Sequence, residues 1–132
     1  MAVPFAIVAG VGPGTGASVA RKFALSYPVA LLARNPDNYN SLVDEINSSG
    51  GKAIGVSTNV ADASSVQNAI SQVKEKFGGQ CAAAVFNASG PFQRKSILEL
   101  TEKEFTGSWE VSWYVFPFLA LLSLTIGQRL AY

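Results

Sequence analysis

Histidine is absent from this sequence, and cysteine occurs once, at Cys81. Without imidazole, any catalytic scheme built on a histidine base is excluded, and no metal site is assigned; zinc loses its commonest nitrogen ligand. A single thiol builds no disulfide framework. Inside an apolar run, Cys81 reads as a small core residue and not as a nucleophile. Charge is scarce as well: ten basic and nine acidic residues leave a net charge of +1 in 132 residues. That balance gives no reason to expect nucleic acid or an acidic surface as partner. The N-terminus lacks a basic region running into a long apolar core, so no secretory signal is read there. A reducing, cytoplasmic setting is expected.

Apolar residues, by contrast, are abundant, at 48% of the chain. That is too many for a disordered chain and enough for the core of one ordinary domain. They fall into an alternating pattern. Residues 3–9 form an apolar run that reads as a strand buried on both faces, as a central parallel strand must be. The string AGVGPGTG follows at residues 9–16, and a helix follows that, with Ala17, Ala20 and Ala24 beside Val19 and Phe23 at spacings of three and four. Strand, glycine-rich turn and helix is the arrangement that holds a dinucleotide pyrophosphate. Glycines let backbone approach the phosphates, and a helix N-terminus offers free N–H groups and a positive dipole end.

The alternation continues. Residues 28–33 read as a second buried strand, with Arg34 at its end. A turn at Asn35, Pro36 and Asp37 leads into a helix whose apolar stripe is Tyr39, Leu42, Val43 and Ile46. Residues 52–57 read as a third strand. Asp62 is placed to cap a third helix with Val66, Ala69, Ile70, Val73 and Phe77 on one face. Residues 82–86 read as a fourth strand, ending in Asn87, Ala88, Ser89 and Gly90. After a loop at 91–100, Thr101 and Glu104 stand at capping-box spacing ahead of Phe105 and Trp109. Strands alternating with helices over short connections imply an α/β fold: a Rossmann-type, doubly wound parallel sheet with helices on both faces.

Four features carry chemistry, and each has a plainer reading. The glycines at 10, 14 and 16 could be ordinary turn glycines. In their strand-to-helix context, Gly10, Gly14, Thr15 and Gly16 are expected to hold phosphate. Arg34 lies 20 residues past Gly14. An acid near that place bonds the ribose hydroxyls, whereas a basic residue suits a 2′-phosphate. The nearest acid is Asp37, in the next turn, so NADP(H) is favoured over NAD(H); the plain alternative is a solvated arginine. Asn59 and Val60, after the third strand, suit an adenine edge and face, or a turn. Asn87 and Ala88 leave room for the nicotinamide-side ribose, or make a polar turn.

Together these features resemble the short-chain dehydrogenase/reductase family over roughly residues 3–112. The family's T-G-x3-G-x-G matches residues 10–16 with Ala9 in place of the threonine. Its Asp-Val adenine contact corresponds to Asn59 and Val60, and its N-N-A-G to Phe86, Asn87, Ala88 and Ser89. The resemblance implies a nicotinamide dinucleotide across the carboxyl edge of the sheet and hydride transfer to or from a carbonyl or alcohol carbon. It also implies dimers or tetramers.

The resemblance breaks at the chemistry. The family uses a tyrosine and a lysine four residues later. Here Leu31, Val43 and Phe118 stand four residues after Tyr27, Tyr39 and Tyr114, and the sequence stops at Tyr132. No catalytic residue is assigned. The family asparagine on the helix after the fourth strand aligns with Ser112. The expected division is a partial cofactor-binding domain at 1–110, truncated after about four strands, and an apolar tail at 111–132 unlike the family. A truncated gene model or a retained intron would produce such a tail from about residue 113. A catalytically inactive chain is therefore expected, with low solubility. Two readings from other classes stand beside this one. The first is a non-catalytic nucleotide-binding or interaction module, pairing with itself or with a longer relative. The second is a tail-anchored protein, because residues 111–128 form an uncharged run of 18 against the ~20 that span a bilayer. Pro117 and several polar residues weigh against a span.

Overall fold

Four short apolar segments pair side by side as parallel strands: β1 (Phe5–Ala9), β2 (Val29–Ala33), β3 (Ala53–Ser57) and β4 (Cys81–Phe86). The structure is a computed structural model and describes residues 3–90, 94–113 and 118. The strand order is β3-β2-β1-β4. The chain therefore builds outward from β1 through β2 to β3, then returns to the other side of β1. Val8 lies opposite Leu31 on β2 and Val85 on β4, so β1 is hydrogen-bonded along both edges. All five residues of β1 and all five of β2 are buried, as expected for strands covered on both faces.

The side chains alternate between two cores. Phe5, Ile7, Ala9, Ala30, Leu32 and Val56 face helix α3 (Ala63–Phe77), packing on Val66, Ala69, Ile70 and Val73. Val8, Val29, Leu31, Ala33 and Ala53 face the opposite layer. There they meet Ala17 and Ala20 of α1 (Thr15–Ala24) and Leu42 and Ile46 of α2 (Asn40–Ser48). The doubly wound arrangement expected from the sequence is the one observed. Tyr39 lies flat on β3, and a Cβ at Gly55 would overlap its ring.

Local signals explain where the helices begin. The Asp62 carboxylate accepts from the Ser64 and Ser65 N–H groups, which with the Ser64 hydroxyl hold it below the usual carboxylate range. Helix α4 (Glu102–Trp113) opens on a capping box. The Thr101 hydroxyl accepts from the Glu104 N–H, and the Thr101 N–H donates to the Glu104 carboxylate at 3.0 Å. Lys95 pairs with Glu104 at 2.6 Å.

Cys81 is half-buried, short of the full burial expected of a core thiol, because it starts the edge strand β4. Helix α4 runs through residue 110 without a break. Val111 packs against the α3-side core, and Phe118 is buried in it, 1% exposed, with its ring edge-on to Phe86 at 5.4 Å. The remainder of 111–132, including Pro117, lies outside the described residues, as does part of the 91–100 loop. Among the described residues, no helix is long and apolar enough to cross a membrane.

Candidate functional site

Because β3 and β4 flank β1 and β2 on opposite sides, the turns leaving β1 and β4 diverge at their carboxyl ends. A cleft of about 410 Å³ opens there. This is the topological switch point, where open α/β sheets bind ligands. Its lining includes Gly10, Gly14, Thr15, Gly16, Arg34, Asn59, Val60, Asn87 and Ala88, brought together from four strand ends. It also includes Ser89, which closes the N-N-A-G correspondence, and Gly12, Asn35, Asn38, Thr58 and Val111, to which the motif reading gave no role.

The glycines of the first turn divide into two kinds. Gly10 has φ +89°, and a Cβ there would overlap the backbone of Ala88. At Gly16 a Cβ would stand 2.7 Å from the Gly10 carbonyl oxygen, so this glycine lets α1 close on the turn. Both serve the protein's own packing. Gly12 and Gly14 meet nothing within 4 Å, so their missing side chains leave space open. The start of α1 adds donors. Ala17 N–H reaches back to Gly12 and Ser18 N–H to Gly14, both at 3.2 Å. Among the described residues, nothing accepts from the N–H groups of Gly14, Thr15 or Gly16. A glycine turn with open flanks and unspent N–H groups at a helix N-terminus is an anion cradle.

The polar side chains around the cleft are partly spent inside the fold. Asn87 donates its Nδ2 to the Gly10 carbonyl at 3.2 Å, while its own N–H bonds the Ala9 carbonyl. It therefore stitches β4 to the glycine turn and leaves Oδ1 as its open acceptor. Asn59 Oδ1 accepts from the Ala61 N–H at 3.1 Å, and the Asn59 N–H donates to the Ser65 hydroxyl. Asn35 Oδ1 accepts from the Asp37 N–H at 3.0 Å. Val60 lines the cleft while belonging to the α3-side core. Arg34 is exposed beyond β2; its carbonyl accepts from the Ser57 hydroxyl at 2.9 Å. Among the described residues it is the one charged residue lining the cleft, and no carboxylate pairs with it.

Asn35 and Gly12 were the readable omissions. Gly12 sits inside the quoted glycine string, and Asn35 adjoins Arg34. Val111 carried no local signal, since only the approach of α4 brings it to the cleft.

Fold and cleft together define an α/β Rossmann-like unit with its binding edge at the switch point. The family model for short chain dehydrogenases matches residues 4–119, and the chain belongs to that family. This match runs past residue 112, where the motif resemblance ends, and takes in the buried Phe118. A short chain dehydrogenase of Pseudocercospora fijiensis is 36% identical over 74 residues, which cover 55% of this chain and 24% of that protein. The oxidoreductase UcpA of Salmonella typhimurium is 28% identical over 120 residues, 85% of this chain and 45% of that one. A dehydrogenase/reductase structure from Sinorhizobium meliloti superposes with TM-score 0.84 at 27% identity, covering 97% of this chain and 51% of that one. A metagenomic short-chain oxidoreductase in complex with NADP gives TM-score 0.83 at 22% identity, a likeness of fold, over 92% of this chain and 56% of that one. The chain thus spans about half the length of these solved structures or less of the curated relatives.

Proposed function

We propose that this chain is the cofactor-binding portion of a short-chain oxidoreductase and that its cleft takes NADP(H) in preference to NAD(H). One observation carries the reading. Among the described residues, Arg34 is the one charged side chain lining the cleft, at the tip of β2, where a Rossmann-type sheet would seat the ribose beside the pyrophosphate. A 2′-phosphate there would gain a charge-assisted, bidentate partner, and among the described residues lining the cleft no acid competes for the ribose hydroxyl. Asn35, with Oδ1 spent on its turn, adds an NH2 donor beside it. The free N–H groups of Gly14, Thr15 and Gly16 hold the pyrophosphate, Gly10 shapes their turn by packing against Ala88 with its own N–H and carbonyl spent, Asn59 and Val60 meet the adenine, and Asn87 and Ala88 line the nicotinamide ribose. In a longer family member with the tyrosine and lysine, a dinucleotide held by these residues would supply or accept hydride at a carbonyl or alcohol carbon. The NADP complex of the metagenomic relative supports the choice of ligand.

The 132 residues contain no tyrosine followed four residues later by lysine. We therefore expect binding without turnover, with residues 1–110 as the binding unit, extended by Val111 at the cleft, and the cytoplasm as its setting. A second reading, an interaction module that pairs with another copy or a longer relative, draws on one feature. Phe105, Trp109 and Trp113 form an exposed aromatic stripe along α4, and the two tryptophans stack at 6.0 Å. Titration of the purified chain with NADPH and NADH, followed by nicotinamide fluorescence beside circular dichroism, tests the first reading. Saturable binding with NADPH preferred by about tenfold is expected from one charge-assisted contact. A folded chain that binds neither dinucleotide refutes it. NADPH oxidation by this chain with small ketones or aldehydes would refute the expected inactivity.

A further inference from the structure

Helix α4 meets the rest of the fold along a narrow face. Glu104, Gly107, Ser108 and Val111 are half-buried at the spacing of one helical stripe, and the residues between them are exposed. No residue of the helix is fully buried, and Val111 alone brings an apolar side chain to this face. What lets the helix come close is a glycine opposite it. A Cβ at Gly90 would overlap the Ser108 Cα and lie 3.0 Å from the Ser108 carbonyl oxygen. Gly90 has no positive φ, so its backbone suits any residue, and it is the approach of α4 that requires glycine there. The atoms met are backbone, so no change of rotamer makes room. One turn before Ser108, the capping box and Lys95 hold Glu104. One turn after it, on the same face, stands Val111. Val111 lines the cleft beside Asn87, Ala88 and Ser89 and packs on the α3-side core. Arg34 follows β2, two strands from β4 across β1, about 10 Å at the ordinary strand spacing.

We propose that Gly90 is the positioning residue for the β4 side of the cleft: without a Cβ it lets α4 seat against the end of β4, and the seated helix holds Val111 as the wall of that side. The proposal rests on the dinucleotide reading above and adds to it the contact on which one half of the site depends. A methyl at position 90 displaces α4 and not the sheet, because α4 has no buried residue whereas all five residues of β1 are buried. Val111 then moves, while Arg34 and the glycine turn stay in place. A ligand that reaches the β4 side feels the change, and a ligand confined to the Arg34 side does not.

The test is calorimetric titration of the full 132-residue chain with NADPH and with adenosine 2′,5′-bisphosphate, which keeps the 2′-phosphate and lacks the nicotinamide half. The proteins are the natural sequence, Gly90→Ala, Val111→Ala and the double variant. Gly90→Ala is expected to weaken NADPH by about tenfold or more and the bisphosphate by less than about twofold. Val111→Ala should weaken NADPH by about threefold or more through lost apolar contact, with the bisphosphate again within about twofold. Because Gly90 acts through Val111, the double variant should lose no more than the larger single loss. Unchanged NADPH affinity in Gly90→Ala overturns the proposal. So do equal losses for both ligands, the result of a merely structural role, and losses that add in the double variant. A Gly90→Ala chain that circular dichroism shows unfolded also overturns it, since the contact would then serve the whole fold. Val111→Ala introduces no overlap and gives a check independent of that variant: unchanged NADPH affinity there removes the wall. A natural chain that binds both ligands, with Gly90→Ala without effect, leaves the dinucleotide reading intact and removes only this proposal. A folded natural chain that binds neither removes both.

Discussion

Replacing Gly10 and Gly12 by alanine, one at a time, separates glycines that serve the fold from glycines that serve the ligand. Gly10 has φ +89°, a conformation that costs an L-residue about 1–2 kcal/mol. Its new methyl would also lie 2.5 Å from the Ala88 Cα and 2.6 Å from the Asn87 carbonyl carbon. Those are backbone atoms of β4's end, and the turn cannot easily withdraw. The Gly10 N–H is bonded to Leu32 at 2.9 Å, and the Gly10 carbonyl accepts from Asn87. Forcing such an overlap costs about 1–3 kcal/mol more. Gly10→Ala should therefore destabilise the chain by roughly 2–5 kcal/mol, a large part of the ~5–15 kcal/mol that holds a domain. Gly12 meets nothing within 4 Å and has no positive φ, so Gly12→Ala should change stability by less than about 0.5 kcal/mol. Its methyl would enter the open space of the turn that the proposed function gives to phosphate, and NADPH affinity should fall by about tenfold or more. Guanidinium denaturation followed by circular dichroism, with a parallel NADPH titration, measures both. The reasoning fails if Gly10→Ala unfolds at the natural midpoint, or if Gly12→Ala destabilises as much as Gly10→Ala.

Arg34→Ala should weaken NADPH binding by about tenfold to a hundredfold while leaving NADH within about twofold, the loss of one charge-assisted pair; equal losses for both dinucleotides would remove Arg34 from the 2′-phosphate. Phe118→Ala should cost about 3–5 kcal/mol in denaturant unfolding, because the ring is 1% exposed and packs edge-on to Phe86; a loss below about 1 kcal/mol would show that this part of the chain contributes little to the core. Burial pushes the Cys81 thiol from 9.0 up to about 11. The folded state therefore favours the neutral thiol, and this contribution is present below pH 9 and lost as pH rises through about 11. Alkylation by iodoacetamide at pH 8 should be about a hundredfold slower in the folded chain than in urea, and equal rates would contradict the burial.

The order of strands and helices and the faces of α2 and α3 could be read from the sequence, because both depend on spacing along the chain. Apolar runs of five or six residues between glycines and turns have few other solutions. The stripe Val66, Ala69, Ile70 and Val73 can be buried only by a helix, and Asp62 with Ser64 and Ser65 marks where that helix starts. The same local logic placed Gly10, Arg34, Asn59 and Asn87 at strand ends, and a parallel sheet gathers its carboxyl ends at one edge. What spacing does not carry is which atoms remain free once the fold has taken its share. Gly10 and Gly12 look alike in the string AGVGPGTG, and only the approach of Ala88 shows that Gly10 is required by the protein itself. Asn59 offers oxygen and nitrogen equally until the Ala61 N–H takes the oxygen. Asn87 offers the same choice until the Gly10 carbonyl takes its nitrogen. Val111 joins the site through α4, and Phe118 joins the core, by contacts with residues far away in the sequence. The sequence by itself determined the elements and their ends, because those follow from local periodicity. Only the tertiary structure decided what the cleft presents to a ligand, because a polar group is available there only after neighbours distant in the chain have made their own hydrogen bonds.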